Sequence, residues 1–320
     1  MNVVIKNDKK VGLGILAGIS TGLFWGLPFL VPQMLPDFSS LEISFGRFFF
    51  FGLISLLFLK KVIAIIRSLS ILDRILLMVL SASGFWFYSI LLFWAVHQTG
   101  GIISSLIVGL LPISITLTTV FGKGGRKQGG LIFFIGLSAI LVGLLVLFGF
   151  PVFMGLESLK PPSVFGVLAL FSCLALWTWF AINNTRFLQR NPEISGKDFA
   201  SVIGVVSLVS ISPFFLTQVN IAQLIHRDGF NTYLWCSIAL GFGSSWLANW
   251  LWNVCSFHCP SEISGPLIIS ETVCGLLYSF IFENRFPHGY EAVAITLFLS
   301  GAFMTVRSSL VLPGRNRSSL

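Results

Sequence analysis

The sequence predicts an all-α integral membrane protein with ten transmembrane helices in two inverted five-helix repeats. Of its 320 residues, 55% are hydrophobic and only 10% are charged, and the mean hydropathy is +0.91. Soluble domains carry charge on about a quarter of their residues, so lipid must be the solvent for much of this chain. The distribution of basic residues and an internal similarity between the two halves support the same fold class.

Ten apolar runs are long enough to cross a bilayer, which takes roughly 20 helical residues. The runs are 11–32, 40–59, 75–96, 101–121, 130–150, 163–186, 199–219, 232–254, 261–282 and 289–310. The polar breaks between them are too short to hold a soluble domain. We therefore predict a cytoplasmic tail (1–10), a first repeat (11–150), an external linker (151–162), a second repeat (163–310) and a cytoplasmic tail (311–320).

The basic residues indicate the orientation of these helices. With a cytoplasmic N-terminus, every Lys and Arg falls in a cytoplasmic segment except Lys160, Arg227, Arg285 and the intramembrane Arg47. This bias is the positive-inside pattern, and ten spans with both termini inside satisfy it. The net charge of +8 is therefore explained by topology, and we expect no nucleic-acid partner because the basic residues form no patch.

The two halves resemble each other at a fixed offset. The segment 95–109 (AVHQTGGIISSLIVG) and the segment 256–270 (SFHCPSEISGPLIIS) share an order of features, and His97 corresponds to His258. Because a five-helix unit has an odd number of spans, its second copy enters the membrane from the opposite side. The resulting inverted repeat is typical of secondary transporters, whose substrate site lies near the midplane between the halves.

Small residues form a row in the first predicted span. Gly14, Gly18 and Gly22 recur every four residues, so they share one helix face. This spacing favours close packing against a neighbouring helix.

Two charged residues lie well inside predicted spans, Arg47 and Glu271. A charge at this depth costs about 2.5 to 3.5 kcal/mol on insertion scales, so such residues usually serve a function. Glu271 is a candidate proton-binding carboxylate or a partner for a substrate ammonium; the alternative is a structural partner for Arg47. Arg47 is a candidate for direct substrate contact, or its long side chain reaches the interface.

The eighth helix carries the clearest polar stripe. Trp246, Asn249, Trp250 and Asn253 recur at positions i, i+3, i+4 and i+7, so they share one face. Amides interleaved with indoles could bind a flat or amphipathic solute. Helix packing combined with an interfacial aromatic belt explains the stripe equally well.

Two other helices repeat this combination. Trp179 and Asn183 are one turn apart in the sixth helix, and the third helix carries Trp86 and Tyr88 near mid-depth. Trp86 and Tyr88 cannot share one face, and the internal repeat aligns Tyr88 with Asn249. We therefore expect Tyr88, rather than Trp86, to line a cavity.

The sequence predicts no cofactor and no metal site. Cys255, His258, Cys259 and Glu262 have some metal-ligand character, but no second ligand pair supports a zinc centre. Motifs for ATP binding and for common hydrolases are absent from the sequence, so we expect a protein that is not an enzyme.

Several segments resemble the drug/metabolite transporter superfamily, in particular its EamA-type ten-helix members. The first helix ends its small-residue run in Trp25-Gly26, Arg47 precedes the aromatic run 48–51, and the passage 93–112 leads through small residues to a proline. Gly136 and Gly143 match the glycine spacing of the fifth helix. The resemblance covers roughly residues 11 to 307.

Within that superfamily, segments 175–190 and 248–258 are most similar to the branch that exports amino acids. Two features depart from the family pattern. Arg126-Lys127 and Phe282-Glu283 stand where members often have Gly-Glu, and the segment 271–273 lacks the family's proline.

The resemblance implies a secondary transporter of a small organic, amino-acid-like metabolite in the bacterial inner membrane, working by alternating access. Protons are a candidate coupling ion, and the protein is a monomer or a homodimer. Three alternatives stay open: efflux of lipophilic cations, an intramembrane enzyme acting on lipids, and a channel.

Overall fold

The computed structural model describes residues 8–121, 131–154, 163–259 and 261–310. The described chain is built from helices joined by short connections. In order they are α1 (Asp8–Trp25), α2 (Leu27–Met34), α3 (Ser40–Leu56), α4 (Leu59–Ser68), α5 (Ile71–Ser81), α6 (Phe87–Val108), α7 (Leu111–Phe121), α8 (Leu131–Phe153), α9 (Val164–Arg190), α10 (Gly196–Gln218), α11 (Ile221–Ile225), α12 (Phe230–Ile238), α13 (Ala248–His258), α14 (Ser261–Leu267), α15 (Ile269–Phe282) and α16 (Gly289–Leu310).

The helices are those of an integral membrane protein. Within the described residues, six helical segments are long and apolar enough to cross a bilayer, or seven if the bent pair α3–α4 counts as one span. α15 is a shorter apolar helix. All ten runs predicted from the sequence are helical over most of their length, and the prediction of an all-helical membrane protein is confirmed.

Parts of the predicted domain scheme fall outside the described residues. The tail 311–320 does so entirely, the tail 1–10 is described only from residue 8, and the linker 151–162 only to residue 154. The departures from the family pattern at Arg126 and Lys127 also lie outside them.

Several membrane helices are irregular. π-helical turns over Ala82–Trp86 and Ala239–Leu247 link α5 to α6 and α12 to α13. Gly100 has φ +78° and separates two helical stretches within α6, a backbone conformation that favours glycine. Short turns interrupt the regular helix between α6 and α7 and between α14 and α15. Such π-turns and broken helices concentrate at functional sites, including those of transporters.

A row of glycines brings α1 against the second half of the chain. A Cβ atom on Gly14, Gly18, Gly22 or Gly26 would collide with atoms of the segment 255–275. These glycines recur every four residues and so form one face of α1. Small residues allow helix backbones in membranes to approach closely, and this is the packing role that their spacing predicts.

The other helices pack in pairs. α1 packs on α13 and α15, α3 on α10, α6 on α9, and α8 on α16. α8 and α16 approach closely at Gly136. A Cβ atom at that position would collide with Thr305 and with the Gly301 carbonyl. The largest group of buried apolar side chains lies among α2, α3, α6, α9, α10 and α12, so the core joins the first half of the chain to the second.

α4 leaves the bundle at its end. It bends by 91° from α3 and carries Lys60, Lys61 and Arg67, whereas Val62 is buried. An apolar face opposite basic side chains is typical of a helix lying in the membrane interface. From the sequence, this segment was expected to be part of a cytoplasmic loop.

The α1 packing can be tested by overfilling it. We expect Gly22→Val to lower the free energy of unfolding by about 1–3 kcal/mol, because the new side chain would overlap Ser270 of α15. Unfolding of the purified protein in detergent measures the loss. Gly12→Val is the matched control, since nothing lies within 4 Å of a Cβ at Gly12. Equal losses in the two variants would contradict close packing at Gly22.

Candidate functional site

Arg47 lies at the middle of α3, and both halves of the chain hold it. Its Nε donates to the Ser245 hydroxyl at 2.8 Å, and its Nη1 donates to the Ser89 hydroxyl at 3.0 Å. Ser89 belongs to α6 and Ser245 to the second π-helical turn. Arg47 therefore points into the bundle, and the interpretation that it reaches the interface does not fit this position. Its Nη2 makes no hydrogen bond to the described residues.

Glu271 lies in the first turn of α15, directly after the break that separates α15 from α14. It interacts electrostatically with Arg47 and Tyr88. Among the described residues, however, no nitrogen–oxygen contact within 4.0 Å joins its carboxylate to a cation, and no hydrogen bond reaches its oxygens. The carboxylate therefore interacts with Arg47 without forming a direct ion pair with it.

Tyr88 lies between these charges and an aromatic wall. Its side chain is 6% exposed, and its ring packs on Trp177 with 5.0 Å between centroids. Trp177 in turn contacts Phe85 and Phe180. Cys173, one turn before Trp177, lies with its sulfur 3.9 Å from the Tyr88 carbonyl oxygen. The Tyr88 hydroxyl interacts electrostatically with both Arg47 and Glu271.

Asn249 completes the group. Its side-chain amide donates to the Ser245 carbonyl one turn earlier, which places the amide next to the serine that holds Arg47. We call Arg47, Tyr88, Asn249 and Glu271 the central site. Each of these four residues has a polar group that makes no hydrogen bond within the described part of the chain: Nη2 of Arg47, the Tyr88 hydroxyl, Oδ1 of Asn249 and the Glu271 carboxylate. None of these groups is fully buried.

The polar groups of the central site are suited to hydrogen bonding with a small polar molecule. Buried polar groups without protein partners are costly, so those that persist usually bind water or a ligand. A guanidinium and a carboxylate that interact without a direct ion pair match a solute that carries both charges. The aromatic wall would accept its apolar part. Within the described residues no three His, Cys, Asp or Glu side chains could share a metal ion.

Four predicted site residues lie away from this group. Trp86 stacks on Phe214 of α10 at 5.3 Å, and its Nε1 is buried without a partner. Trp246 stacks on Phe242, its neighbour one turn earlier. Trp179 is 40% exposed, and Asn183 donates to the Trp179 carbonyl within the same helix.

The predicted stripe on the eighth helix is divided by the structure. Trp250 is 51% exposed and Asn253 is also exposed, whereas Asn249 lies at the central site. Trp252, which was not predicted, packs against Trp25 of α1 at 5.5 Å. Binding of a solute by all four residues as one face stays a prediction.

Three residues that contact the central site, Trp177, Ser89 and Ser245, were not predicted from the sequence. Trp179 was predicted, and Trp177 was not. Cys173 and Phe180, at positions i−4 and i+3 from Trp177, lie on the same helix face as Trp177. Ser89 and Ser245 are single hydroxyls in apolar helices. Serine is common in such helices, and only the neighbouring arginine gives these two a role.

Helices long enough to cross a bilayer and charged groups enclosed among them define this chain as an integral membrane protein, and the known proteins similar to it support a membrane transporter. Inner membrane protein YtfF of Escherichia coli (strain K12) is 28% identical over 310 residues, or 92% of this chain and 95% of that protein. An uncharacterized transporter of Haemophilus influenzae is 29% identical over 125 residues, or 38% of this chain and 69% of that protein. These names favour a transporter over an enzyme.

The fold is also found among solved structures. A crystal structure of a protein aligns with a TM-score of 0.60 at 17% identity, covering 93% of this chain and 99% of that chain. At this identity the similarity extends to the fold alone. No model of a known protein family matches the chain.

The support of Arg47 by two serines is testable. We expect Ser89→Ala and Ser245→Ala each to lower the free energy of unfolding by about 1.5–3 kcal/mol, because each leaves a charged donor unpaired in the interior. Unfolding in detergent micelles measures the loss. The control is Ser172→Ala, whose exposed hydroxyl bonds only to its own helix. Losses no larger than that of the control would remove these serines from the site.

Proposed function

We propose that this protein is a secondary active transporter that moves a small, amino-acid-like metabolite across the membrane by alternating access. The observation that carries the proposal is the central site. In it, the Arg47 guanidinium and the Glu271 carboxylate interact electrostatically without forming an ion pair, among helices from both halves of the chain. A charged intramembrane pair of this kind marks a substrate or ion pathway.

The charges suggest how such a solute would bind. Its carboxylate would accept hydrogen bonds from Nη2 of Arg47, and its ammonium group would lie against Glu271. Tyr88 and Trp177 would contact its apolar part, with Asn249 offering a further acceptor. Guanidinium groups bind carboxylates strongly because charged hydrogen bonds are about twice as strong as neutral ones.

We further propose ten spans in two inverted repeats, covering 11–150 and 163–310. The third span of each repeat contains a π-helical turn, and the fourth span of each is broken. The helix contacts also exchange between repeats. α1 packs on α13 as α9 packs on α6, while the pairs α3–α10 and α8–α16 map onto themselves. Alternating access would then arise from movement of one repeat against the other.

The orientation follows from charge. We propose that both termini are cytoplasmic, in a bacterial inner membrane, because the basic residues are concentrated in segments on that side. Membership of the EamA-type drug/metabolite transporters and protons as the coupling ion belong to the same proposal. A monomer or a homodimer is compatible with it.

Efflux of lipophilic cations is a second candidate. It is favoured by one observation, the unpaired Glu271 carboxylate near an aromatic wall, since aromatic faces also attract cations. Arg47 opposes it, because the guanidinium would repel a solute that carries only positive charge.

Counterflow in proteoliposomes tests the proposed function. We expect liposomes preloaded with a zwitterionic amino acid to take up the labelled form transiently and with saturation, and we expect a lipophilic cation to compete poorly. Non-saturating flux would indicate a channel. Strong competition by the cation, with none by amino acids, would favour the second candidate.

Glu271→Gln separates coupling from binding. We expect it to abolish proton-linked uptake while binding is partly retained, because the amide keeps the shape of the side chain but cannot exchange a proton. Uptake measured with and without a pH gradient reports the loss. Glu283→Gln at the opposite end of α15 is the control and should keep the pH dependence. If Glu271→Gln keeps it as well, another group couples transport to protons.

The topology can be tested with reporter tags at both chain ends. We expect both tags on the cytoplasmic face, since ten spans return the chain to the side on which it began. Protease protection in oriented vesicles checks this expectation. Tags on opposite faces would exclude an even number of spans and, with it, the inverted repeat.

A further inference from the structure

An ion pair connects the two halves at one end of the bundle. Arg227, in the connection between α11 and α12, donates from both terminal nitrogens to the two Glu42 carboxylate oxygens at 3.0 and 3.1 Å. Arg227 also donates to the Asp37 carbonyl and covers the Phe38 ring. The Tyr233 hydroxyl donates to the Glu42 carbonyl at 2.8 Å. We call Glu42–Arg227 the outer pair, because our orientation places it outside.

A second ion pair connects the halves at the other end. Lys61, on α4, lies 2.8 Å from a carboxylate oxygen of Asp198 in the first turn of α10. The Ser195 hydroxyl donates to the same carboxylate at 2.6 Å and so fixes its position. We call Lys61–Asp198 the inner pair. Arg190 and Asp73 form a longer contact of 3.6 Å at the same end.

The two pairs have the same construction. Glu42 is three residues after Ser39, which caps α3, and Asp198 is three residues after Ser195, which caps α10. In each pair, the acid begins the second span of one repeat. The base lies between the second and third spans of the other repeat. If each repeat is superimposed on the other, the outer pair therefore takes the place of the inner pair. The two pairs lie at opposite faces of the bundle.

We propose that the outer and inner pairs are the two alternating gates of the transporter, and that residue 227 and residue 61 decide to which side the central site opens. This inference rests on the proposed alternating-access function. When the repeats move apart on one face, the pair on that face must separate while the other pair stays closed.

The pairs differ in strength, which sets the resting state. The Glu42 side chain is 5% exposed and that of Arg227 31%, and Arg227 makes a bidentate contact. The Lys61 side chain is 62% exposed and makes a single contact. Bidentate, shielded pairs resist separation more than exposed ones. The outer face is therefore the more firmly closed, and the central site opens more readily to the inside.

The test measures access to the central site from outside. In the full-length protein in intact cells, the five cysteines are replaced by serine or alanine and Asn249→Cys serves as the reporter. A membrane-impermeant maleimide is then added outside. We expect Arg227→Gln to raise the labelling rate about fivefold or more, the lower range of measured coupling between sites. Lys61→Gln should lower this rate or leave it unchanged.

Arg285→Gln is the matched control. Arg285 forms a bidentate pair with Glu291 on the same face at 2.6 and 2.9 Å, but both residues belong to one repeat. Its loss should not change labelling. The proposal is overturned if Arg285→Gln matches Arg227→Gln, or if Lys61→Gln raises outside labelling. Because the Lys61 side chain is exposed, its variant tests the proposal even if Arg227→Gln does not fold.

Counterflow separates failure of the gates from failure of the function. One outcome is saturable counterflow in the reporter-free protein, together with a labelling rate of the reporter that is the same with and without the substitutions at residues 61 and 227. That result would reject the gates alone. Absence of counterflow for every solute would reject the transport function as well. Labelling that responds oppositely to Arg227→Gln and Lys61→Gln supports the gates.

Discussion

The interior of this protein is organised around one guanidinium. A charge within the bilayer is stable only where polar groups replace water, and Arg47 receives two hydroxyls, Ser89 from one half of the chain and Ser245 from the other. These bonds require α3, α6 and the second π-helical turn to meet at one depth. Both π-helical turns lie in the helices that surround Arg47, because a widened turn redirects side chains that a regular helix would send elsewhere.

The chain pairs its charges differently in the interior and at its ends. At the ends, carboxylates such as Glu42 and Glu291 accept two contacts from an arginine and are satisfied. In the interior, Glu271 has no such contact among the described residues, although it interacts electrostatically with Arg47. A direct pair there would satisfy both groups and leave little for a ligand to gain. Keeping the two apart lowers stability locally but preserves binding energy for the solute.

Much of the fold was predictable because the bilayer imposes a simple rule on composition. Apolar length located the helices to within a few residues, and the glycines of α1 revealed a packing face. The irregular features were not predictable, since α4 and the π-helical turns depend on packing rather than on hydropathy. The site was predicted in part. Charged residues deep within predicted spans identified Arg47 and Glu271. Trp179 rather than Trp177 was predicted from the sequence, because helix periodicity does not show which face of a helix contacts a neighbouring helix.

Close packing and charged groups both contribute to the interface between the two halves of this apolar protein. The glycine face of α1 brings its backbone close to α13, α14 and α15. Besides the apolar core, the interface between the halves includes polar contacts: Arg47 at the centre, the outer pair at one end, and the Lys61–Asp198 and Arg190–Asp73 contacts at the other. Contacts of this kind are strong when aligned and are lost over a small displacement. In the alternating access that we propose, these are the contacts that would break and re-form as one repeat moves against the other.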